Sequence, residues 1–268
     1  MERISSELAD DLIATAEALA DAAGAAILPH FRSRGLSADN KQAGGFDPVT
    51  IADRAAEEAM RAVLAERRPQ DAILGEEFGR SDGTSGLTWV LDPIDGTRGF
   101  LSGTPTWGVL IAVGGPDGPA LGIVDQPYTR ERFVGGLGRA DWTGPHGGGA
   151  LRVRDTTALS DAILFTTFPE VGTTEERMAF QRVAAQAKLT RYGTDCYAYA
   201  LLAMGQIDLV IEAGLQAYDI QGPMAVVQAA GGLVTDWQGG AAHQGGRVIA
   251  AANPAIHAAA LELLNATG

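Results

Sequence analysis

A strand-like apolar run that ends in acid is the feature of this chain that most restricts its fold. Residues 89–100 read WVLDPIDGTRGF, so Asp92 and Asp95 close what the preceding residues mark as a buried strand. Taken alone, Asp95-Gly96 is a tight-turn dipeptide. The neighbours add a second reading. Pro93 has no N–H to give a sheet and should end the ladder. Ile94 tucks its side chain into the core, leaving its carbonyl and the flanking carboxylates to face one spot. Gly96 lets the backbone approach a ligand, and the amides of Gly96 and Thr97 are then available to an anion.

More acids stand upstream. From Asp71 to Asp95 the acids are Asp71, Glu76, Glu77, Asp82, Asp92 and Asp95, against Arg80 as the one base. Glu76 and Glu77 follow the strand-like AILG, which delivers them to the same sheet edge. Carboxylates bunched in this way repel each other unless a cation sits among them. Oxygen donors without His or Cys point to Mg2+ rather than zinc. The four histidines, His30, His146, His243 and His257, are scattered without ligand spacing.

Two further acids have a local explanation beside a functional one. Asp53, in DPVTIADRAAEE, falls in the first turn of a helix, where the dipole favours an acid. Asp219, in AYDIQGPMAVVQAAGG, follows a strand and precedes a helix, the place of an N-cap, with Pro223 in the first turn. Spacing alone brings neither residue to the end of the strand.

The rest of the pattern sets the frame. Leu8, Leu12, Ala16, Leu19, Ala23 and Ala26 predict a first helix ending near Pro29. A second is predicted from Ile51 to about Arg67, capped by Thr50 or Asp47. Strands at 72–75, 87–92, 107–113, 120–125 and 131–135 suggest a largely antiparallel meander. The glycine-rich GPHGGG at 144–149 is the candidate boundary. It divides residues 1–145, with the metal and phosphate motifs, from residues 146–268, which complete the site and its pocket. Beyond it, strands at 162–167, 189–192, 208–212, 233–237 and 247–252 alternate with helices at about 173–187, 195–204 and 220–230 and from Pro254, the pattern of an α/β layer. Gly231-Gly232 closes the helix before Leu233.

Composition narrows the function. With 268 residues, 46% of them hydrophobic, the chain can bury a sizeable core as one large domain or two small ones. Its net charge of -13 and pI near 4.7 argue against non-specific binding to nucleic acid or anionic membrane. Cys196 is the single cysteine, so no intrachain disulfide forms. The N-terminal MERISSELADDL lacks the apolar core of a signal peptide, and no apolar run spans a bilayer. The expectation is a cytoplasmic protein.

Together, DPVTIAD at 47–53, GEE at 75–77, DPIDGT at 92–97 and YDIQGPMAVVQAAGG at 218–232 resemble the inositol monophosphatase family of Mg2+-dependent phosphatases. Within it, TRYGTDCYAYALLAMGQIDLVIEAGLQAYDI at 190–220 looks like the histidinol-phosphate phosphatase branch, as do Arg98 and Tyr218. Gly222-Pro223 and Gly99 depart from the pattern beside the site. The resemblance implies an αβαβα sandwich like that of the fructose-1,6-bisphosphatase superfamily, and two or three Mg2+ ions. It implies that Glu76, Asp92 and the Ile94 carbonyl hold one Mg2+ and that Asp92, Asp95 and Asp219 hold a second. The Gly96 and Thr97 amides then take the phosphate, while Asp53 and Thr97 orient and activate water. Arg191 and Glu212 match substrate-contacting positions. Asp195 is a further candidate for a cationic substrate, beside its reading as the N-cap of CYAYALLAM. The implied partner is a small phosphorylated substrate, and a second copy in a homodimer. L-histidinol phosphate is the first substrate expectation, with inositol-1-phosphate or a broad set of sugar phosphates next. Adenosine 3′,5′-bisphosphate is weakened by the compact length. A non-catalytic regulatory relative is the alternative of another class, and the intact acids argue against it.

Overall fold

The computed structural model describes residues 4–34, 38–40 and 48–266; Asp47, the alternative helix cap, lies outside the described residues. In chain order the elements are α1 (Ser6–Ile27), β1 (Ala38–Asn40), β2 (Pro48–Thr50), α2 (Ile51–Arg67), β3 (Ala72–Gly75), β4 (Gly79–Ser81) and β5 (Thr88–Asp95). Then come α3 (Thr97–Ser102), β6 (Gly108–Gly115), β7 (Gly118–Gln126), β8 (Glu131–Gly136), β9 (Arg139–Gly144) and β10 (Gly147–Ala150). The second half contains β11 (Ile163–Thr166), α4 (Thr174–Ala184), β12 (Leu189–Tyr192), α5 (Tyr197–Ala203), β13 (Leu209–Leu215), α6 (Ala217–Ala229), β14 (Leu233–Asp236), β15 (Gly246–Ala251) and α7 (Pro254–Leu264).

These elements stack in five layers. The larger sheet runs β10-β9-β8-β7-β6-β5-β3-β4, antiparallel except for the β3–β5 pair. Helices α1 and α2 pack on one face of it, and α6 packs on the other. The smaller sheet runs β12-β11-β13-β15-β14, with α5 and α6 on its inner side and α4 and α7 outside. The αβαβα expectation holds. Three apolar cores fill the gaps: Leu12, Leu19, Trp89 and Ile111 lie in the first, Val124, Phe133, Ile220 and Val226 in one that spans both sides of the α5–α6 layer, and Phe180, Trp237 and Ile249 in the outer one.

Helix α6 is buried nearly all round, as a helix between two sheets must be. Its backbone lies directly on strands β7 and β8 because those strands offer glycine. A Cβ on Gly122 would stand 2.3 Å from the Gly222 carbonyl oxygen, and one on Gly135 would stand 2.4 Å from Val226 Cα. This contact fixes the helix, and hence Asp219, against the larger sheet.

The structure corrects four local expectations. Strand β5 does not end at Pro93; it continues to Asp95 through an irregularity between Asp92, opposite Leu110, and Asp95, opposite Gly108. Proline interrupts the ladder there, and a bulge absorbs the missing donor. The segment 144–149 turns a hairpin, with Gly144 opposite Gly147, so 147–150 is an edge strand of the larger sheet. Helix α6 starts at Ala217, so Gln216 is its N-cap, Asp219 lies inside the first turn and Pro223 sits within the helix. Asp195 does not cap α5: Cys196 holds the N-cap position, no side chain caps there, and Asp195 adopts φ +44°.

Candidate metal and phosphate site

Two helices deliver an aspartate by the same device. At the start of α2, the Thr50 amide donates to Asp53 Oδ2 at 2.8 Å within a capping box. At the start of α6, the Gln216 amide donates to Asp219 Oδ2 at 2.6 Å. Each side chain is thereby pinned by its own helix end. Asp53 is buried, on the helix that packs against β5.

The bulge in β5 orients the other acids. The Ile94 amide donates back to Asp92 Oδ1 at 3.0 Å, and the Ile94 side chain is fully buried. Thr97 Oγ1 donates to the Ile94 carbonyl at 3.1 Å. The amide of Cys196, 101 residues away in the chain, donates to Asp95 Oδ2 at 2.6 Å. As a result Asp92, Asp95 and Asp219 each offer a carboxylate oxygen within 4.8 Å of one another. Glu76 directly follows β3, where its amide donates to the Leu91 carbonyl at 3.1 Å and its charge acts on Asp92.

Burial first, then the charges of Glu76, Asp95 and Asp219, push the Asp92 carboxyl well above the usual range. Burial, Asp195 and Asp219 do the same to Asp95, against the pull of the Cys196 amide. Such a set is under charge strain as apo-protein, and a divalent cation relieves it. The donors are all carboxylate oxygens, the set that hard Mg2+ prefers. The residues therefore fit a Mg2+ site.

The loop after β5 is equally specific. Gly96 has φ +85°, and a Cβ there would meet Asp195 Cβ and Cγ at 2.9 Å. Glycine is required both by the backbone and by the close approach of the 193–196 loop. Asp195 is pushed up to about 6 by burial, with the Arg98 charge pulling the other way. On β13, Glu212 accepts from the Thr167 amide at 2.8 Å, Thr167 Oγ1 at 2.9 Å and Thr166 Oγ1 at 3.1 Å. Burial holds it at about 7 despite those donors, Asp195 adding to the rise. Arg191 is exposed on edge strand β12, opposite Phe165. Cys196 is buried beside Asp95, which pushes its thiol well up and makes it a poor nucleophile.

Sequence reasoning missed Glu57. This fully buried residue sits one turn after Asp53 and accepts from the Glu77 amide at 2.7 Å and the Phe78 amide at 3.2 Å. Arg61 pairs with it at 2.8 Å. A Cβ on Gly75 would fall 1.9 Å from Glu57 Oε1, which explains the glycine of GEE. Helix α2 thus carries Asp53 and also grips the loop that bears Glu76. A helical i, i+4 pair of acids was the available signal.

The inositol monophosphatase family model matches residues 8–267. The chain belongs to that family. Members are Mg2+-dependent phosphomonoesterases, and this chain is a metal-dependent phosphatase of small phosphorylated substrates. It is 41% identical over 266 residues to the bifunctional phosphatase IMPL2, chloroplastic, of Arabidopsis thaliana, covering 95% of this chain and 75% of that one. It is 35% identical to a histidinol-phosphatase of Mycobacterium tuberculosis, covering 96% and 98%. A solved structure of an inositol monophosphatase from Zymomonas mobilis superposes with a TM-score of 0.84 at 39% identity, covering 96% and 98%. Among the described residues no helix is long and apolar enough to cross a membrane.

Proposed function

We propose that this member of the inositol monophosphatase family hydrolyses L-histidinol phosphate to L-histidinol and phosphate, within histidine biosynthesis. The observation that carries the reading is the pair of acids near the Gly96–Thr97 loop: half-buried Asp195 against Gly96, and buried Glu212, whose carboxyl feels the Asp195 charge. Histidinol presents an ammonium group and a basic imidazole. Inositol presents neutral hydroxyls, which gain less from buried carboxylates. The histidinol-phosphatase relative supports the same reading. The likeness to the Zymomonas mobilis enzyme favours a second one, inositol-1-phosphate, with a broader sugar-phosphate range behind it. A homodimer and a cytoplasmic location belong to this proposal on the resemblance of the sequence.

In the proposed reaction, Glu76, Asp92, the Ile94 carbonyl, Asp95 and Asp219 hold Mg2+, which when bound polarises phosphate oxygens and stabilises the departing alkoxide. The amides of Gly96 and Thr97 bind the phosphate. Thr97 Oγ1, already oriented by the Ile94 carbonyl, hydrogen-bonds the attacking water. Asp53, fixed by the Thr50 amide, accepts its proton as general base. Asp195 and Glu212 pair with the cationic leaving group, and Arg191 is the outer substrate contact. No covalent intermediate is needed. A histidine auxotroph lacking only histidinol-phosphate phosphatase tests the assignment: growth without histidine on expressing this chain supports it. Failure to grow with soluble, Mg2+-active protein present rejects it.

A further inference from the structure

Phe168 is a large aromatic residue left 42% exposed one position beyond Thr167, whose amide and hydroxyl both hold Glu212. Its ring is not bare. The Arg98 guanidinium lies over it, with Cζ 4.7 Å from the ring centroid. Arg98 directly follows Thr97 on α3, and its charge acts on Asp195. Asp195 itself is wedged against the phosphate loop: a Cβ on Gly96 would meet it at 2.9 Å, and one on Gly99 would lie 3.6 Å from its Oδ2. Its left-handed backbone, φ +44°, is costly for a residue with a side chain, and it falls in the turn that joins β12 to α5 against the Gly96 loop.

We propose that Phe168 is the stacking platform for the planar cationic ring of the substrate, and that Arg98 covers that ring face in the ligand-free protein. The inference rests on the histidinol-phosphate reading. A guanidinium and an imidazolium are chemically alike in what matters here: both are planar, delocalised monocations that stack on aromatic faces. In histidinol phosphate the groups run in the order phosphate, ammonium, ring. The protein groups are linked in a matching set: Asp195 lies against the Gly96–Thr97 loop, Arg98 of the next turn lies over Phe168, and Phe168 follows Thr167, which holds Glu212. A substrate that seats its ammonium at Asp195 brings its ring to Phe168, displaces the guanidinium and gives Glu212 a cation to face. Inositol, neither planar nor charged, gains nothing from the ring.

The test uses the Mg2+-loaded enzyme and Phe168→Leu, a substitution at a half-exposed site that keeps apolar bulk and removes the π face. Phosphate release is measured from L-histidinol phosphate and from 2-aminopropyl phosphate, which keeps the ammonium and lacks the ring. The proposal predicts that the ratio of kcat/KM for histidinol phosphate over the ring-less substrate falls about tenfold, chiefly through KM, the scale of a partly desolvated cation–π contact. An unchanged ratio in a variant with wild-type thermal stability overturns the role of Phe168, whether both activities fall together or neither falls. Inositol-1-phosphate, run on the wild type, separates the two claims. A wild type that does not prefer histidinol phosphate removes the parent reading and this proposal with it. A selective wild type with an unchanged Phe168→Leu ratio removes this proposal alone.

Discussion

Two groups of carboxylates lie close enough to feel each other's charge and are built differently. Asp92, Asp95 and Asp219 crowd their oxygens within 4.8 Å, each anchored by a backbone amide. Asp195 and Glu212 stand outside that crowded set of oxygens, although the Asp195 charge is felt at both Asp95 and Glu212. One is bordered by Arg98, and the other is satisfied by two threonines. The first group is under mutual repulsion that a divalent cation would relieve. On the proposed reading, the second receives the monocation of the substrate. On the proposed function, the crowded acids carry the chemistry and the other two carry selection. This division predicts that damage to the first lowers activity on every substrate, while damage to the second changes the ranking of substrates.

The largest effect falls on Asp92, which stands against Glu76, Asp95 and Asp219 alike. Asp92→Asn should lower kcat by about a thousandfold or more on all phosphate monoesters, several kcal/mol of lost charge stabilisation. Retained turnover with normal Mg2+ dependence breaks the metal assignment. Next come Asp53→Asn and Thr97→Ala, each expected to cost kcat roughly two orders of magnitude on any substrate. Wild-type turnover in either would remove the water-activating pair.

Asp195→Asn and Glu212→Gln sharpen the comparison from the other side. Each should cut the preference for histidinol phosphate over inositol-1-phosphate by about tenfold, the weight of a charge-assisted contact. Equal losses on both substrates would place these residues with the chemistry instead.

The smallest effect is the dependence on pH. Asp195 at about 6 and Glu212 at about 7 are acids raised by burial, so they lose their attraction for a cation as pH falls through those values. An imidazole with an ordinary pKa near 6.5 loses its charge as pH rises. The substrate preference should therefore pass through a maximum between about pH 6 and 7. Glu212→Gln should flatten the acid limb, and an unaltered limb would detach that titration from Glu212.

Local rules read helix α2 correctly because a threonine cap, an acid at the third position and Pro69 bracket it. They misread α6 because its cap is Gln216, an uncommon choice, and Pro223 resembles a helix start while lying inside one. The β9–β10 hairpin was hidden by glycine: an edge strand of small residues has no alternation to detect. The motif around Asp92 revealed the metal chemistry. The bond from Cys196 to Asp95 and the grip of Glu57 on the Glu76 loop arise only when the layers close, and sequence spacing does not encode them.

The most direct measurement is kcat/KM for phosphate release from L-histidinol phosphate, inositol-1-phosphate, fructose-1,6-bisphosphate and adenosine 3′,5′-bisphosphate, with Mg2+ and with EDTA. A large Mg2+-dependent preference for histidinol phosphate, abolished by EDTA, is the predicted result. A flat profile or a preference for inositol-1-phosphate would contradict the division of labour between the two acid groups.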